Sequence, residues 1–277
     1  MRDKRVDLHI HTIASDGTWN EDELIEKIKI KGIDIFAVTD HDSFGSIQRV
    51  KELASNEKID FIPGIEVSTK YKNKLYHVLG YGIEYGNKDL VKLIEKNKKE
   101  FERVNKEEIE YLENIFEGIS FEEFLEYEHI NKYGGWKSYS YCVDKGICKE
   151  LKGYFELFKG SGRGAPSSGA KLANSKEAID AIKASNGIAI LAHPGARFCS
   201  QDIGWVLETF LNFGIDGFEC YHTENSDYVV NRCLEFCKKN DLQITGGSDC
   251  HGDFMTRNIG IPDIKVSEIR FEFGKYA

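Results

Sequence analysis

The sequence VDLHIHTIASDG occupies residues 6–17 and places two histidines at the end of a short apolar run. The run Val6–Ile10 is typical of a buried β-strand. Because side chains two residues apart in a strand lie on the same face, His9 and His11 point in one direction. We therefore expect this segment to be the first strand of the fold and to deliver two imidazoles to one pocket.

Six more short apolar runs follow, each bounded by turn residues or charges. They are rich in β-branched and aromatic residues and mostly unbroken, which is typical of strands buried on both faces of a parallel sheet. Helical patterns lie between them, so we expect βαβ units in a barrel or an open sheet. The predicted strands are Ile33–Thr39, Phe61–Ser68, Tyr76–Gly82, Ile188–Ala192, Gly217–Tyr221 and Gln243–Gly246.

Five predicted helices accompany these strands. The first begins at Asn20, where Glu23 completes a capping box, and it ends at Gly32. The others are Ser46–Ala54, Asn174–Ala184, Ile203–Phe213 and Asp227–Lys239.

Residues 88–175 interrupt this alternation. Helices are predicted for Asp89–Phe116, Phe121–His129 and Ser138–Lys145, and a Gly- and Ser-rich stretch between Lys159 and Lys171 is expected to be flexible. We therefore predict a barrel built from residues 1–87 and 176–277, with a mainly helical insertion at 88–175.

Composition excludes several classes of protein. The 277 residues suit one α/β barrel of about 250 residues. The net charge of −9 argues against an extended nucleic-acid surface. No run approaches the ~18 apolar residues of a membrane span. An odd count of 7 cysteines without a CxxC pair favours the reducing cytoplasm over a disulfide framework. Oligomeric state has no signature here.

Six of the 8 histidines lie next to the ends of the apolar runs, together with three carboxylates. The carboxyl ends of barrel strands meet on one face, where active sites form. We therefore expect distant residues to converge in a single pocket. They are His9, His11, Asp16, His41, Glu66, His77, His193, Asp249 and His251.

Clustered carboxylates repel one another unless a cation neutralises them. Imidazole and carboxylate ligands suit Mn, Fe and Zn, and so many ligands suit two or three ions. Each motif alone has a plainer interpretation: the His9 and His11 pair as a packing feature, His77 as a core histidine, and Asp249–His251 as a turn. Their conjunction predicts a polynuclear metal site.

Five segments resemble motifs of the PHP (polymerase and histidinol phosphatase) family of metal-dependent phosphoesterases, in the family order. They are DLHIHTIASDGT (7–18), VTDHDS (38–43), PGIEVS (63–68), LAHPG (191–195) and GSDCH (247–251). The resemblance covers roughly residues 5–85 and 175–255. It implies an α/β fold, a distorted (β/α)7 TIM-like barrel, with three divalent metal ions (Mn, Fe or Zn).

The resemblance also implies a ligand set for each ion. The first ion is held by His9, His11 and Asp249, the second by His77 and His193, and the third by Asp16, His41 and His251, with Glu66 bridging the first two. Relatives often have histidine at the position of Asp16. The Asp form resembles a small phosphoesterase branch that includes nucleoside 3′,5′-bisphosphate phosphatases and 5′-to-3′ exoribonucleases.

The expected reaction is hydrolysis of a phosphate monoester by a metal-bridging hydroxide. The substrate is expected to be a small phosphorylated metabolite, a nucleotide or the end of a short oligonucleotide. Glu66 and Asp249 are the candidate catalytic ligands. His222, at another strand end, is predicted to contact the phosphate or protonate the leaving group, or to support a ligand by a hydrogen bond.

Four cations are candidates for substrate contacts. Arg197 follows the segment that begins at His193, and Lys137 lies where relatives commonly have an arginine-bearing segment. Arg163 and Lys171 flank the Gly- and Ser-rich stretch and are expected to close over a substrate as a lid. Ordinary solvated charges are the plainer interpretation of Lys137, Arg163 and Lys171.

Three further residues receive individual predictions. Asp40 is expected to orient a ligand, His129 to lie on the surface, and the Cys250 side chain to be structural on the opposite strand face.

Three alternatives remain at this point. One is a histidinol-phosphate phosphatase, in the same chemical class. Another is an amidohydrolase-type C–N hydrolase, although such enzymes usually have a bridging lysine and Glu66 is the bridge candidate here. The last is a non-catalytic metal-binding module of a polymerase.

Overall fold

A computed structural model describes residues 3–159 and 169–273. The seven predicted strands are confirmed, and two strands of two residues each, β5 and β9, add to them. The strands are β1 (Arg5–Asp7), β2 (Ile35–Val38), β3 (Asp60–Tyr71), β4 (Lys74–Tyr81), β5 (Ala173–Asn174), β6 (Ile188–Leu191), β7 (Gly217–Tyr221), β8 (Gln243–Gly246) and β9 (Ile264–Lys265).

These strands form one sheet in the order β8-β7-β6-β4-β3-β2-β1-β9, with β5 paired to β3. The sheet curls so that Leu8, just after β1, donates its backbone N–H to the carbonyl of Gly246 in β8 at 3.2 Å. The barrel is thus nearly closed by its first and its eighth strand. The predicted fold class, a distorted TIM-like barrel, is confirmed.

The expectation of an entirely parallel barrel was wrong for β4. This strand runs antiparallel to both β3 and β6. Lys72 and Asn73 join β3 to β4 in a tight turn with positive φ, and a connection this short cannot carry the chain back for parallel pairing. His77, near the start of β4, therefore pairs with Ser68, near the end of β3, at the same barrel edge as the other strand ends.

The predicted helices are confirmed, with α6 in addition. They are α1 (Glu21–Lys31), α2 (Ile47–Glu57), α3 (Lys88–Glu113), α4 (Phe121–Glu126), α5 (Lys137–Asp144), α6 (Leu151–Glu156), α7 (Ser175–Ala184), α8 (Ile203–Asn212) and α9 (Asp227–Asn240).

The N-termini of α1 and α4 are capped differently. Asn20 and Glu23 form the reciprocal capping box that starts α1. Ser120 caps α4, but the Glu123 carboxylate binds Lys145 at 2.6 Å instead of returning to the Ser120 N–H. Helix α4 ends at Glu126, three residues before the predicted end at His129.

The long helix α3 connects the barrel to the helical insertion. Near its start, Leu90 and Ile94 belong to the same core as Ile182 of α7. Near its end, Ile109 and Leu112 belong to a separate core with the aromatic residues of α4, α5 and α6.

Between these two halves of α3, Asn97 makes a buried polar contact with the barrel. Its Nδ2 donates to Asp42 Oδ1 and to the Ser68 carbonyl, both at 2.7 Å. The middle of α3 is thereby fixed to the barrel edge where the strand ends lie.

Part of the predicted flexible stretch, including Arg163, lies outside the described residues. Within the described ranges, no helix combines the length and the apolar character that a membrane span requires. All seven cysteines are buried and free, and Cys250 packs in the core beneath α1 and α2, as predicted.

Candidate metal centre

The nine side chains predicted as metal ligands converge at one edge of the barrel. Glu66 lies at the centre of the cluster and is fully buried. Its Oε1 lies 3.0 Å from His77 Nδ1 and 3.0 Å from His193 Nε2. Its Oε2 lies 3.0 Å from His9 Nε2, 3.1 Å from His11 Nε2 and 3.3 Å from His41 Nδ1. Each oxygen of one carboxylate therefore faces a different set of imidazoles.

Asp249 approaches the same centre from the loop after β8. Its Oδ1 lies 3.1 Å from His11 Nε2 and 3.4 Å from His9 Nε2. Its Oδ2 lies 3.4 Å from His222 Nε2 and accepts a bond from Arg257. The two oxygens of Asp249 thus face opposite sides, with the candidate ligand histidines on one side and two donors on the other.

Asp16 organises a third group of ligands. Its Oδ2 lies 3.2 Å from His251 Nε2 and 4.0 Å from His41 Nε2, and its Oδ1 lies 3.5 Å from His11 Nδ1. His11 therefore faces three carboxylates, those of Asp16, Glu66 and Asp249, and His41 faces two, those of Asp16 and Glu66.

The candidate ligands form three groups, and within each group the ligand atoms lie within 4.8 Å of one another, close enough to hold a metal ion. One group combines Glu66 and His77 with His41, which the family resemblance assigns to another ion, and His193 belongs to none of the three groups. The groups are His9 with His11, Glu66 and Asp249, His41 with Glu66 and His77, and His11 with Asp16, His41 and His251.

The polar atoms at this centre fit divalent cations. Although they are buried, His11 Nε2, His41 Nδ1, His77 Nδ1 and Asp249 Oδ1 form no hydrogen bond with any described residue. Buried polar atoms without partners are costly. Imidazole nitrogens and carboxylate oxygens are ligands for Zn, Mn and Fe, so a cation would satisfy these atoms.

The electrostatics of the centre without metal are dominated by ion pairing. Burial raises the pKa of Glu66, but His9, His41 and His77 outweigh it and hold that pKa well below its usual range. Burial lowers the pKa of His11, but Asp249, Glu66 and Asp16 raise it to about 10. For His41 burial prevails and lowers the pKa to about 3. The histidines of the centre therefore differ in protonation before any metal binds.

Glu219 is a site residue that sequence reasoning missed. It is fully buried on β7, and its Oε1 accepts a hydrogen bond from His9 Nδ1 at 2.9 Å. Its Oε2 accepts the backbone N–H of His193 at 2.8 Å. The sequence did offer a signal, because Glu219 lies inside the apolar run GFECY (217–221). A carboxylate buried in a strand needs a polar partner, which indicates a role in a buried site.

Asp7 and Asp40 support the loops that carry the ligands. Asp7 accepts the N–H groups of Ser248 and Gly260. Asp40 accepts bonds from Thr12 and Ser15, in the loop after β1, and from Ser46. Asp40 thus supports the loop that follows His11 and forms no described bond to a ligand ring.

His222 lies at the centre with a defined tautomer. Its Nδ1 accepts the backbone N–H of Glu224 at 3.0 Å, so in the neutral ring the proton is on Nε2. That nitrogen is buried, has no hydrogen-bond partner among the described residues and lies 3.4 Å from Asp249 Oδ2. His222 therefore presents an N–H donor to the centre.

Three of the predicted substrate cations are described, and none of them forms a described contact with a candidate ligand. Arg197 is exposed, and its neighbour Phe198 lines the cavity described below. Lys137 lines that cavity, but its Nζ donates to the Leu125 carbonyl at 3.4 Å and lies over the Phe124 ring. Lys171 is exposed.

A cavity of about 610 Å³ extends from the centre to the helical insertion. Asp16, His41 and His77 form one end of it, and its other walls are mostly apolar. The apolar walls come from Leu75, Phe101, Trp136, Leu151, Phe155, Phe198 and Met255.

The prediction that His129 lies on the surface was wrong. It is half-buried and lines this cavity, in the segment that follows the end of α4 at Glu126. Burial and the charge of Lys137 lower the pKa of His129 to about 4.

Comparisons with known proteins agree with this geometry. The family model of the PHP domain matches residues 7–162. A 5′-3′ exoribonuclease of Haemophilus influenzae is 29% identical over 265 residues, covering 90% of each chain. A 3′,5′-nucleoside bisphosphate phosphatase of Chromobacterium violaceum is 25% identical and covers 89% of this chain and 87% of its own.

Solved structures show the same fold. A candidate metal-dependent phosphoesterase of Bifidobacterium adolescentis superposes with a TM-score of 0.80 at 22% identity, covering 95% of this chain and 93% of its own. An amidohydrolase of Chromobacterium violaceum, with bound sulfate and no metal, gives 0.76 at 21% identity and covers 95% and 94%. The chain belongs to the PHP domain family. It is a metal-dependent hydrolase.

Proposed function

We propose that this protein hydrolyses a phosphate monoester of a nucleotide or a similar small phosphorylated molecule, using three divalent ions (Mn, Fe or Zn). The observation that carries the proposal is the position of Glu66, whose two oxygens face two sets of histidines at 3.0–3.3 Å. A buried carboxylate in that position suits a bridge between two cations.

The chain's own residues would hold the ions in three groups. His9, His11 and Asp249 would share one ion with Glu66, and Asp16 and His251 would hold another with His41. His77 and His193 complete the set around the Oε1 of Glu66. When bound, divalent cations activate water as a nucleophile and neutralise charge on phosphoryl oxygens.

His222 is proposed as a hydrogen-bond donor to the phosphoryl group or the leaving oxygen. Its Nδ1 is occupied by the Glu224 N–H, so its Nε2 proton faces the centre. A neutral imidazole whose Nδ1 already accepts a hydrogen bond donates through its Nε2–H and keeps its proton, so it stabilises negative charge on an oxygen by hydrogen bonding.

The cavity supports a substrate whose alcohol carries an aromatic or apolar group. Its walls include Phe101, Trp136, Phe155 and Phe198, and aromatic side chains stack on nucleobases. The aromatic walls favour a nucleoside over a simple sugar phosphate, which has no aromatic ring to stack on them. By their names, one relative acts on RNA from its 5′ end and another removes phosphate from a nucleoside bisphosphate, and the second name supports the proposed monoester hydrolysis.

The deciding experiment is a substrate screen of the metal-free protein with Mn²⁺ added back. The panel contains an aryl phosphate, nucleoside 3′,5′-bisphosphates, short 5′-phosphorylated RNA, histidinol phosphate and an aryl amide. We expect turnover of the nucleotide phosphates that requires Mn²⁺ and is lost in His9→Ala. Turnover of amides alone would support a C–N hydrolase, and tight metal binding without turnover would support a non-catalytic module.

Two further assignments belong to this proposal. Seven free, buried cysteines suit a reducing compartment, so we place the enzyme in the cytoplasm. The separate core of α4, α5 and α6 supports treating residues 88–175 as an insertion that forms the far wall of the substrate cavity.

A further inference from the structure

Arg257 lies in the loop after the Asp249–His251 motif, and only 17% of its side chain is exposed. Its Nη1 donates to Asp249 Oδ2 and its Nη2 donates to Glu224 Oε1. A guanidinium has more N–H donors than these two bonds use. Arg257 therefore holds a permanent positive charge beside the candidate metal centre and keeps donors for another acceptor.

Asp249 separates this arginine from the candidate ligand histidines. Its Oδ1 faces His9 and His11, whereas its Oδ2 faces Arg257 and His222. A cation bound on the Oδ1 side would draw on the single negative charge of Asp249. Asp249 Oδ2 would then be a weaker hydrogen-bond acceptor for Arg257 and His222, and the cation would make this region more positive. An anion placed between them restores the charge balance.

Glu224 positions both donors on the Oδ2 side. Its backbone N–H binds His222 Nδ1 at 3.0 Å, and its carboxylate accepts the bond from Arg257. The imidazole and the guanidinium are therefore oriented by one residue in the loop between β7 and α9. Donors held in place before a charged ligand arrives are what phosphoryl recognition requires.

The other cations considered for this task have their charged groups elsewhere. The side chain of Arg197 is exposed, and Lys137 Nζ is bound to the Leu125 carbonyl. Arg257, by contrast, contacts a residue of the candidate centre directly. Its planar fork also matches two phosphoryl oxygens, as a lysine ammonium does not.

We propose that Arg257, together with His222, binds the phosphoryl group of the substrate on the Oδ2 side of Asp249. This inference rests on the proposed phosphoesterase function. Arg257 exchanges its bond to Asp249 for a phosphoryl oxygen and keeps its bond to Glu224. The site takes dianionic phosphate, as the end of a monoester or as the inorganic product, and excludes neutral amides.

The test compares Arg257→Met and Arg257→Lys with the wild type and with Arg232→Met, a matched control. Arg232 is an exposed arginine on α9 that pairs with Glu235 of the same helix. Each protein is loaded with Mn²⁺, its metal content is measured by elemental analysis, and inorganic phosphate is titrated by calorimetry. Thermal unfolding shows whether each variant is folded.

We expect Arg257→Met to retain its metal and to bind phosphate about 10- to 100-fold more weakly, the effect of losing a hydrogen bond to a charged group. Arg257→Lys keeps the charge without the fork, so we expect an intermediate loss, and it decides the question if Arg257→Met does not fold. Arg232→Met should bind phosphate as the wild type does.

Two results would overturn the inference. One is unchanged phosphate affinity in both Arg257 variants. The other is loss of metal in parallel with loss of phosphate, because Arg257 would then serve only to hold Asp249. Failure of the proposed function is a separate result: a wild type that binds phosphate through Arg257 but hydrolyses no phosphate ester refutes the activity and leaves the phosphate site standing.

Discussion

Glu219 and His9 are 210 positions apart in the chain, and Glu219 Oε1 accepts the hydrogen bond of His9 Nδ1 at 2.9 Å. This contact fixes the tautomer of His9 and points its Nε2 at Glu66. A carboxylate behind a ligand histidine orients the ring and raises its basicity. Glu219 also binds the backbone of His193, so it organises two predicted ligands at once.

We predict that Glu219→Gln lowers metal affinity by about 10- to 100-fold, because the charged partner of His9 is lost. Titration of the metal-free protein with Mn²⁺ measures this directly. Glu235→Gln, on the exposed side of α9, is the control. Equal affinities in wild type and Glu219→Gln would show that Glu219 does not orient His9.

Metal binding should release protons at neutral pH. The pKa of His11 in the metal-free protein is about 10, so His11 is protonated below that pH and must lose its proton to become a ligand. Metal affinity should consequently rise as pH increases from 6 to 9. Calorimetry in buffers of different ionisation enthalpy counts the protons released, and a binding enthalpy that does not depend on the buffer would contradict this expectation.

Gly247→Ala should disrupt the centre through the backbone. A Cβ on Gly247 would contact the backbone N and Cβ of His9 and lie 2.9 Å from its Cα. These atoms cannot move without shifting the end of β1. We expect a loss of roughly 1–3 kcal/mol in the free energy of unfolding, together with weaker metal binding. Gly214→Ala, at a turn with no neighbouring atom within 4 Å, tests strain from its positive φ without a clash.

Phe155 provides a test of the cavity. It lines the cavity and is 38% exposed, so its removal should affect folding little. Phe155→Ala should raise KM for a nucleotide substrate by roughly fivefold or more, through loss of stacking on the base. KM for glycerol phosphate, which has no ring, should stay the same. Tyr228→Ala, an exposed aromatic on α9, is the control variant, and equal effects on both substrates would refute a base-binding role.

The sequence was most informative where a side chain's role is local. Strand ends were visible as apolar runs, and the HIH motif placed His9 and His11 on one face. The reversed direction of β4 was not visible in its apolar pattern, because a buried strand has the same pattern in either direction. The turn at Lys72 and Asn73 was the missed indication.

Sequence patterns do not show which distant residues contact the candidate ligands in the folded protein. Glu219 left a trace, as a charge inside an apolar strand. Arg257 left none, since a single arginine in a polar loop is most often solvated. Its relation to Asp249 and Glu224 depends on how the loops after β7 and β8 meet, which is a property of the folded barrel.

Helix α3 extends for 26 residues, about 39 Å at 1.5 Å per residue. Its first turns pack on the barrel, and Asn97 in its middle is hydrogen-bonded to the barrel near the strand ends. Its last turns pack on the helical insertion above the cavity. The helical insertion and the candidate metal centre are therefore supported by different parts of the chain. Exchanging the segment after Asn97 for another helical unit would change the shape of the substrate cavity. The residues that support the candidate metal centre would stay in place.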